Sequence, residues 1–399
     1  MKRLIYAAVA STAVASSQAQ AVVSDDDFIQ LKTDLSAMGQ RLSTVEAENA
    51  TLRESKSAWT DKIKLKGDFR YRYEEIDVEA KDKRDRNRIR ARAVLIANLA
   101  DDTSVGLGIA TGGEDPVSTN QTLGGGGSTK GVQLDLAYFK WNATDNFYLT
   151  AGKIKNPFYK PQKSSLLWDG DYNPEGAAFG WNSDRVFVTV AASWLESDSK
   201  KTNQQLSWGT QVGVKLAMGA AKLTTGVGYH DLPTKGNNTF FGDFDDFFGN
   251  SFECDLLDPT DCVYAINYEE LEAFANIGMS VFKMPLNIFA NVVQNQDAEE
   301  FDTGYIVGVK LGKAKAKGTW QVAYQYEDLE KDAVLGLLSD SDFAGGGTDG
   351  KGHKISGAYS INKGWNVGLT AFVDNETGED NTGTATSYDR LQIDMKFKY

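Results

Sequence analysis

Five arginines, Arg70, Arg72, Arg88, Arg90 and Arg92, recur at every second residue in two stretches of this 399-residue chain. Guanidinium groups stay protonated at physiological pH and present planar forks of donors. A row of them therefore binds oxyanions or imposes an electric field, and does not relay protons. Crowded in a dry core such groups would be prohibitive, whereas a wetted wall with facing carboxylates relieves them.

Other groupings point to weaker chemistry. Asp169, Asp171, Asn173 and Glu175 are spaced like calcium ligands, but the glycine falls at Gly176 and not at the sixth position of a calcium loop, so no metal is expected there. Gly124 to Lys130 lacks the Gly-Lys-Ser/Thr ending of a phosphate loop and reads as a surface loop. The acidic, aromatic segment Phe240 to Phe248 also reads as an exposed loop, one that could meet a partner outside the cell. His230 and His353 are the only histidines, and neither has an evident serine or carboxylate partner, so the chain is not expected to be an enzyme and no cofactor is implied. Cys254 and Cys262 lie close together in a polar segment. In an exported chain a local disulfide is the expectation, ahead of a zinc site.

The elements that position the arginines are strands. Ile63, Leu65, Phe69, Tyr71 and Tyr73 alternate with Lys64, Lys66, Asp68, Arg70 and Arg72, and the run from Arg88 to Leu99 repeats the alternation. A soluble sheet also alternates, but these runs have the length of about ten residues at which a tilted strand crosses a bilayer. Sixteen stretches of strand character follow from Asp61 onward. Short links (at Ala100, Asn142, Asn182, Met218, Phe282, Gly312 and Ile361) alternate with mostly longer polar ones (Glu114 to Lys130, Asn156 to Glu175, His230 to Cys262, Lys331 to Gly350, Thr377 to Ser387). Short turns on one rim and long loops on the other predict an all-β transmembrane barrel of about sixteen antiparallel strands over residues 60–399, its short rim periplasmic.

The mean hydropathy of −0.39 and the lack of any long apolar run leave strands as the means of crossing. Lys2 and Arg3, an apolar stretch from Leu4 to Ala15 and Ala19-Gln20-Ala21 predict a cleaved export signal over 1–21. Its loss takes the net charge from −13 to −15, which argues against nucleic acid as a partner. Between signal and barrel, over 22–59, Phe28, Leu31, Leu35, Met38, Leu42, Val45, Asn49 and Leu52 recur at spacings of three and four, continuing weakly to Lys56 and Trp59. This predicts a heptad seam, hence a parallel coiled coil about 48 Å long, in preference to a single helix packed on a domain. The seam leaves dimer and trimer open.

Signal, coiled coil, sixteen strands and a terminal aromatic, Tyr399, together resemble the Gram-negative outer-membrane porins, closest to the putative porins. The most specific stretch is Ala151 to Phe158 followed by Leu166 to Gly176. In such porins the loop after the fifth strand folds into the barrel and narrows it, and the barrel is a homotrimer. The chain departs from the general porins in lacking their Pro-Glu-Phe-Gly loop motif and in ending on Tyr and not Phe. If such an infolded loop brings Asp169, Asp171 and Glu175 opposite the arginine wall, a transverse field is expected that orders water and selects against apolar solutes. Arg72 and Arg88 could instead sit at the outer rim on lipopolysaccharide phosphates. The expected function is passive diffusion of small hydrophilic solutes and ions through a water-filled lumen in the outer membrane. An outer-membrane anchor or adhesion protein and a substrate-specific channel are the alternatives.

Overall fold

A computed structural model describes residues 25–60, 62–197 and 204–399, with the side chains at 27 and 52–60 left out. The expected export signal, and the side chains of Leu52, Lys56 and Trp59, lie outside the described residues. The chain divides into two units, Met1–Asp61 and Lys62–Tyr399.

In the first unit one helix, α1 (Asp25–Thr60), carries the expected seam. Phe28, Leu31, Leu35, Met38, Leu42 and Val45 are all between 50% and 70% exposed. Within the described part of this unit the apolar stripe is uncovered, and a coiled coil is a matter for association.

The second unit is built from sixteen spanning strands. In chain order they are β1 (Ile63–Val78), β2 (Arg84–Asn98), β3 (Thr103–Thr111), β4 (Val132–Trp141), β5 (Phe147–Lys153), β6 (Glu175–Asn182), β7 (Val186–Glu196) and β8 (Gln205–Met218). They continue as β9 (Ala221–Leu232), β10 (Tyr268–Val281), β11 (Met284–Asn295), β12 (Thr303–Gly312), β13 (Trp320–Leu329), β14 (Gly350–Asn362), β15 (Trp365–Thr377) and β16 (Thr386–Lys398). Each pairs antiparallel with its neighbours, and β16 returns to β1 with Phe69 opposite Phe397 and Arg72 opposite Asp394. The sheet is closed, so no edge is left to find another chain. Beyond the last strand Gly67 and Tyr399 exchange backbone hydrogen bonds at 3.2 Å in both directions. The Tyr399 ring lies where a Cβ on Gly67 would stand, which makes glycine the residue that fits there.

Two faces follow from the pleat. Leu65, Phe69, Leu107, Val190, Val212, Val227, Ile288, Val307, Ile355, Leu369 and Ile393 point outward and are exposed. Toward the short-turn rim this band meets Trp365 stacked on Phe397 at 5.4 Å and Phe147 beside Phe179 at 5.5 Å. Toward the other rim it meets Trp208 beside Tyr229 at 5.4 Å and Tyr305 beside Tyr326 at 6.1 Å. An apolar belt between two aromatic girdles matches the two interfaces of a bilayer.

The main buried apolar cluster does not lie between sheets. It fills part of the lumen, where Leu166, Leu167 and Trp168 meet Ala333, Val334, Leu335, Leu337 and Leu338, with Phe247, Tyr264 and Tyr268 above them. All of these but Tyr268, the first residue of β10, come from three connections on the long-loop rim. The segment Phe240 to Phe248 is only partly the exposed loop expected, because Phe247 packs edge-on to Tyr264 at 4.7 Å while Phe244 stays outside. The loop tip bearing Leu256 and Leu257 is exposed and is pinned at its base by the Cys254–Cys262 disulfide.

Candidate pore constriction

All five arginines stand on inward positions of β1 and β2, with Arg70 opposite Arg90, Arg72 opposite Arg88 and Asp68 opposite Arg92. Their mutual repulsion is relieved by carboxylates threaded among them. Asp68 accepts from Arg90 Nη2 at 2.9 Å and from Arg92 Nη2 at 2.7 Å. Asp394, on β16, takes both Nε (2.8 Å) and Nη2 (3.2 Å) of Arg72 in a fork. Glu74 is approached by Arg86, by Arg88 at 3.4 Å and by Arg390 at 3.5 Å. Arg72 and Arg88 therefore both stand inside the lumen, and Arg72 is only 4% exposed.

The loop between β5 and β6 crosses this space. Its neck is closed by the Ile154 amide donating to Pro174 O at 2.8 Å. From there it is moored to opposite walls. On one side the Tyr159 amide donates to Gln211 Oε1 (2.7 Å) on β8, and Gln162 donates to Asn276 (3.0 Å) on β10. On the other side Asp171 accepts from Arg92 Nη1 at 2.8 Å, from Arg90 Nη1 at 3.3 Å and from Thr119 Oγ1 at 2.9 Å. Burial opposes the charge on Asp171, but Arg90 and Arg92 win and hold its carboxyl below the usual range.

Of the three acids singled out in this loop, only Asp171 meets the arginines. Asp169 turns to the Ser341 amide at 3.2 Å and the Ser341 hydroxyl at 3.3 Å. Burial, with Asp340 and Asp171 close by, pushes its carboxyl up to about 7. Glu175 is already on β6, where it pairs with Lys153 at 2.9 Å. Asn173 donates instead to Asp135 at 2.7 Å, so the calcium-like spacing diverges in space. No group of three or more metal-binding side chains forms among the described residues.

The connection 330–349 between β13 and β14, expected as a long polar loop, folds inward as well. Ala333–Leu338 is buried beneath the first loop, and the Asp169 amide donates to Leu338 O at 2.7 Å. The turn is pinned by Asp342, which receives Arg72 Nη1 at 2.8 Å and Arg390 Nη1 at 2.9 Å. Burial works against that charge, yet Arg72, Arg390 and Arg70 hold the Asp342 carboxyl well below the ordinary range. Asp340 pairs with Lys354 at 3.0 Å, and Asn250 ties the loop to its neighbour by donating to Val334 O at 2.9 Å. Sequence reasoning placed Asp394 among the acids able to face the lumen but missed Asp342 and Arg390 as members of the wall. One signal was available, the apolar run Ala333-Val334-Leu335-Gly336-Leu337-Leu338 in the middle of a connection, which no exposed loop needs.

Seven guanidinium groups thus face five carboxylates around a lumen crossed by one loop and narrowed by a second. Beside Asp171 lies an open cavity of about 440 Å³ lined by Thr119, Asp135, Lys153, Phe240 and Leu337. The chain matches the model of the family described as putative porin over residues 75–237 and 250–399. It belongs to that family. This porin is also similar in fold to OprB of Pseudomonas putida, at 12% identity and a TM-score of 0.57 over 85% of this chain and 95% of that one. A variant of the Rhodopseudomonas blastica porin aligns at 9% identity and a TM-score of 0.48, covering 84% of this chain and all of the other. OmpT of Vibrio cholerae, in a trimer form, aligns at 11% identity and a TM-score of 0.48, covering 84% of this chain and 99% of the other. No curated protein matches the chain in sequence.

Proposed function

We propose that this outer-membrane porin conducts small hydrophilic solutes and ions passively through a lumen whose selectivity is set where Asp171 faces Arg90 and Arg92. The observation that carries this reading is the loop stretched between β8 and β10 on one side and β2 on the other. It narrows a closed barrel without sealing its wall. Charges of opposite sign fixed across a narrow wet space orient water and penalise apolar solutes, because leaving that water carries no return for them.

Reconstitution in a planar bilayer tests it. Stepwise ohmic conductance is the expected result, and a sealed barrel would sink the proposal. Replacing Arg90 and Arg92 by glutamine leaves Asp68 and Asp171 without their cations. The reversal potential in a salt gradient should then move toward cation preference, and an unmoved potential counts against the role given to this wall. Current that saturates with a solute would point to a substrate-specific channel.

The exposed stripe on α1 supports self-association, with three copies covering one another's Phe28, Leu31, Leu35, Met38, Leu42 and Val45, and with Asn49 fixing register. On this reading α1 lies in the periplasm, and the outer leaflet's lipopolysaccharide meets the long-loop rim. Deleting residues 25–60 should lower the oligomeric state or its resistance to dissociation, measured by light scattering in detergent. An outer-membrane anchor spaced from the cell wall by the same helix remains the second reading, favoured by that stripe alone.

A further inference from the structure

The lumen is not electrically uniform along its axis. From mid-height to the short-turn rim, Lys66, Lys396 and Lys398 stand on inward positions of β1 and β16, and Lys310 stands on an inward position of β12. The carboxylates nearest this level on the strands are Asp68, Asp394 and Asp135, and each is engaged, Asp135 by Asn173 at 2.7 Å. Asp68 lies between Arg90 and Arg92, and Asp394 between Arg72 and Lys396. The inner faces of the other walls here include Gly106, Ala178, Thr224, Ala323, Ser356 and Gly368, none of them a carboxylate, and their charged side chains Lys140, Lys215 and Lys222 are again cationic.

The crossing loop adds to this belt. Gln162 and Lys163 hold φ of 47° and 69°, left-handed conformations that cost an L residue energy and persist only where something over-determines them. Here the bond from Gln162 to Asn276 fixes the turn. The turn places Lys163 among Lys398, Arg92 and Lys155, and Lys310 feels its charge from the wall. Burial and those like charges push the Lys163 ammonium below the usual lysine range. Lys66, Lys155, Lys163, Lys310 and Lys398 form no ion pair among the described residues; the lumenal lysines that do are Lys153, Lys354 and Lys396.

We propose that the short-turn half of the lumen is a binding vestibule for small multivalent phosphate-type oxyanions, held by Lys163, Lys310 and Lys398 with Lys66 and Lys155 at its margin. Ammonium groups are compact point charges that impose no planar fork, so they suit a tetrahedral, multiply charged anion better than a flat monocarboxylate. Several unneutralised cations in a concave wet site gain most when one ligand carries more than one negative charge. The long-loop rim has the opposite character: Glu114, Asp115, Asp243, Asp245 and Asp246 lie on its connections. An anion therefore reaches the vestibule more readily from the short-turn side.

The proposal rests on the channel reading for one readout and is independent of it for the other. With oriented channels of the full chain in about 0.1 M KCl, where the screening length is about 10 Å, pyrophosphate added on the short-turn side should block the current. From the long-loop side the half-blocking concentration should be at least about tenfold higher. Lys163→Gln combined with Lys310→Gln should raise the short-side value by about tenfold or more, while Lys163→Arg should retain block. Equal block from both sides, or block indifferent to the double substitution, overturns the vestibule. Equilibrium dialysis of labelled pyrophosphate against the detergent-solubilised full chain separates the two readings. Binding without conductance would sink the channel and keep the vestibule; conductance without binding would do the reverse. The double variant's heat-modifiable gel migration verifies that its barrel has folded.

Discussion

Replacing Asp342 by alanine takes away the one carboxylate that Arg72 and Arg390 share with the 330–349 loop. Two charge-assisted hydrogen bonds, at 2.8 and 2.9 Å, disappear with it. Arg72 keeps Asp394 and Arg390 keeps Glu74, so neither guanidinium is left wholly unpaired. Because both cations keep a carboxylate and Asp342 is only partly buried, the loss is about 1.5–3 kcal/mol, which raises the population of the locally open loop by roughly one to two powers of ten. The effect should be uneven along the segment. Leu335, Leu337 and Leu338 are fully packed, and each buried leucine holds its place by about 1.5–3 kcal/mol of transfer free energy. Amide hydrogen exchange in micelles should therefore accelerate by that factor over residues 339–346 and much less over 333–338. Asp342→Asn should behave similarly, since shape without charge leaves only a neutral acceptor. Unchanged exchange over 339–346, in a variant whose barrel migrates as folded, would refute the idea that this ion pair pins the loop.

Other expectations follow from the same contacts. Asp169 has its folded pKa raised to about 7, so its contribution is complete below the ordinary carboxylate range near ~3.9 and is lost as pH rises through about 7. After correction for intrinsic rates, exchange over 165–172 should increase across that window, and Asp169→Asn should flatten the increase. Asp342 has the opposite sign: its contribution is complete above the ordinary range and disappears only when pH falls through its depressed value, so loop 330–349 should stay docked in mild acid. A Cβ on Gly213 would stand 2.2 Å from the Phe187 ring, so Gly213→Ala should cost about 1–3 kcal/mol in urea unfolding from vesicles, with Phe187→Leu restoring part of it. Reducing Cys254–Cys262 should loosen the tip bearing Leu256 and Leu257 by about 2–3 kcal/mol, seen as chymotryptic cleavage there, with conductance unchanged.

The strands that are plain in sequence are those whose inward side chains are polar or charged, such as Gln321, Gln325 and Glu327 on β13. Arg70, Arg72, Arg88, Arg90 and Arg92 mark the lumen row of β1 and β2 by contrast with Phe69, Tyr71, Ile89 and Ala91. In sequence alone the facing near Val105, Val132, Phe147 and Ala177 is ambiguous, and for a physical reason. There the inward residues are Gly106, Gly108, Leu136, Tyr138, Tyr148, Gly176, Ala178 and Gly180, with rings lying over glycines, so neither face is polar. A register shift between Gly108 and Ile109 also breaks the two-residue period in β4. The alternation of short and long connections was legible because turn residues cluster where strands stop. What a long connection does was not. Asp171 reaches the arginines because the Asp169 side chain accepts from the Asp171 amide at 2.7 Å and turns the chain there, whereas Glu175, four residues on, has already entered β6. The wall's other acids, Asp342 and Asp394, lie 270 and 322 residues from Arg72, beyond any spacing rule.

A hollow cylinder of strands is easily flattened, since its ladder bonds bend at little cost while only its perimeter is fixed. The span from Gln211 to Arg92, made by a single peptide segment with polar fastenings at both ends, works as a cross-brace against that ovalisation. Lateral pressure from the surrounding lipid then loads the brace before it deforms the wall. The bore of this porin is accordingly held by the brace as well as by the number of its strands.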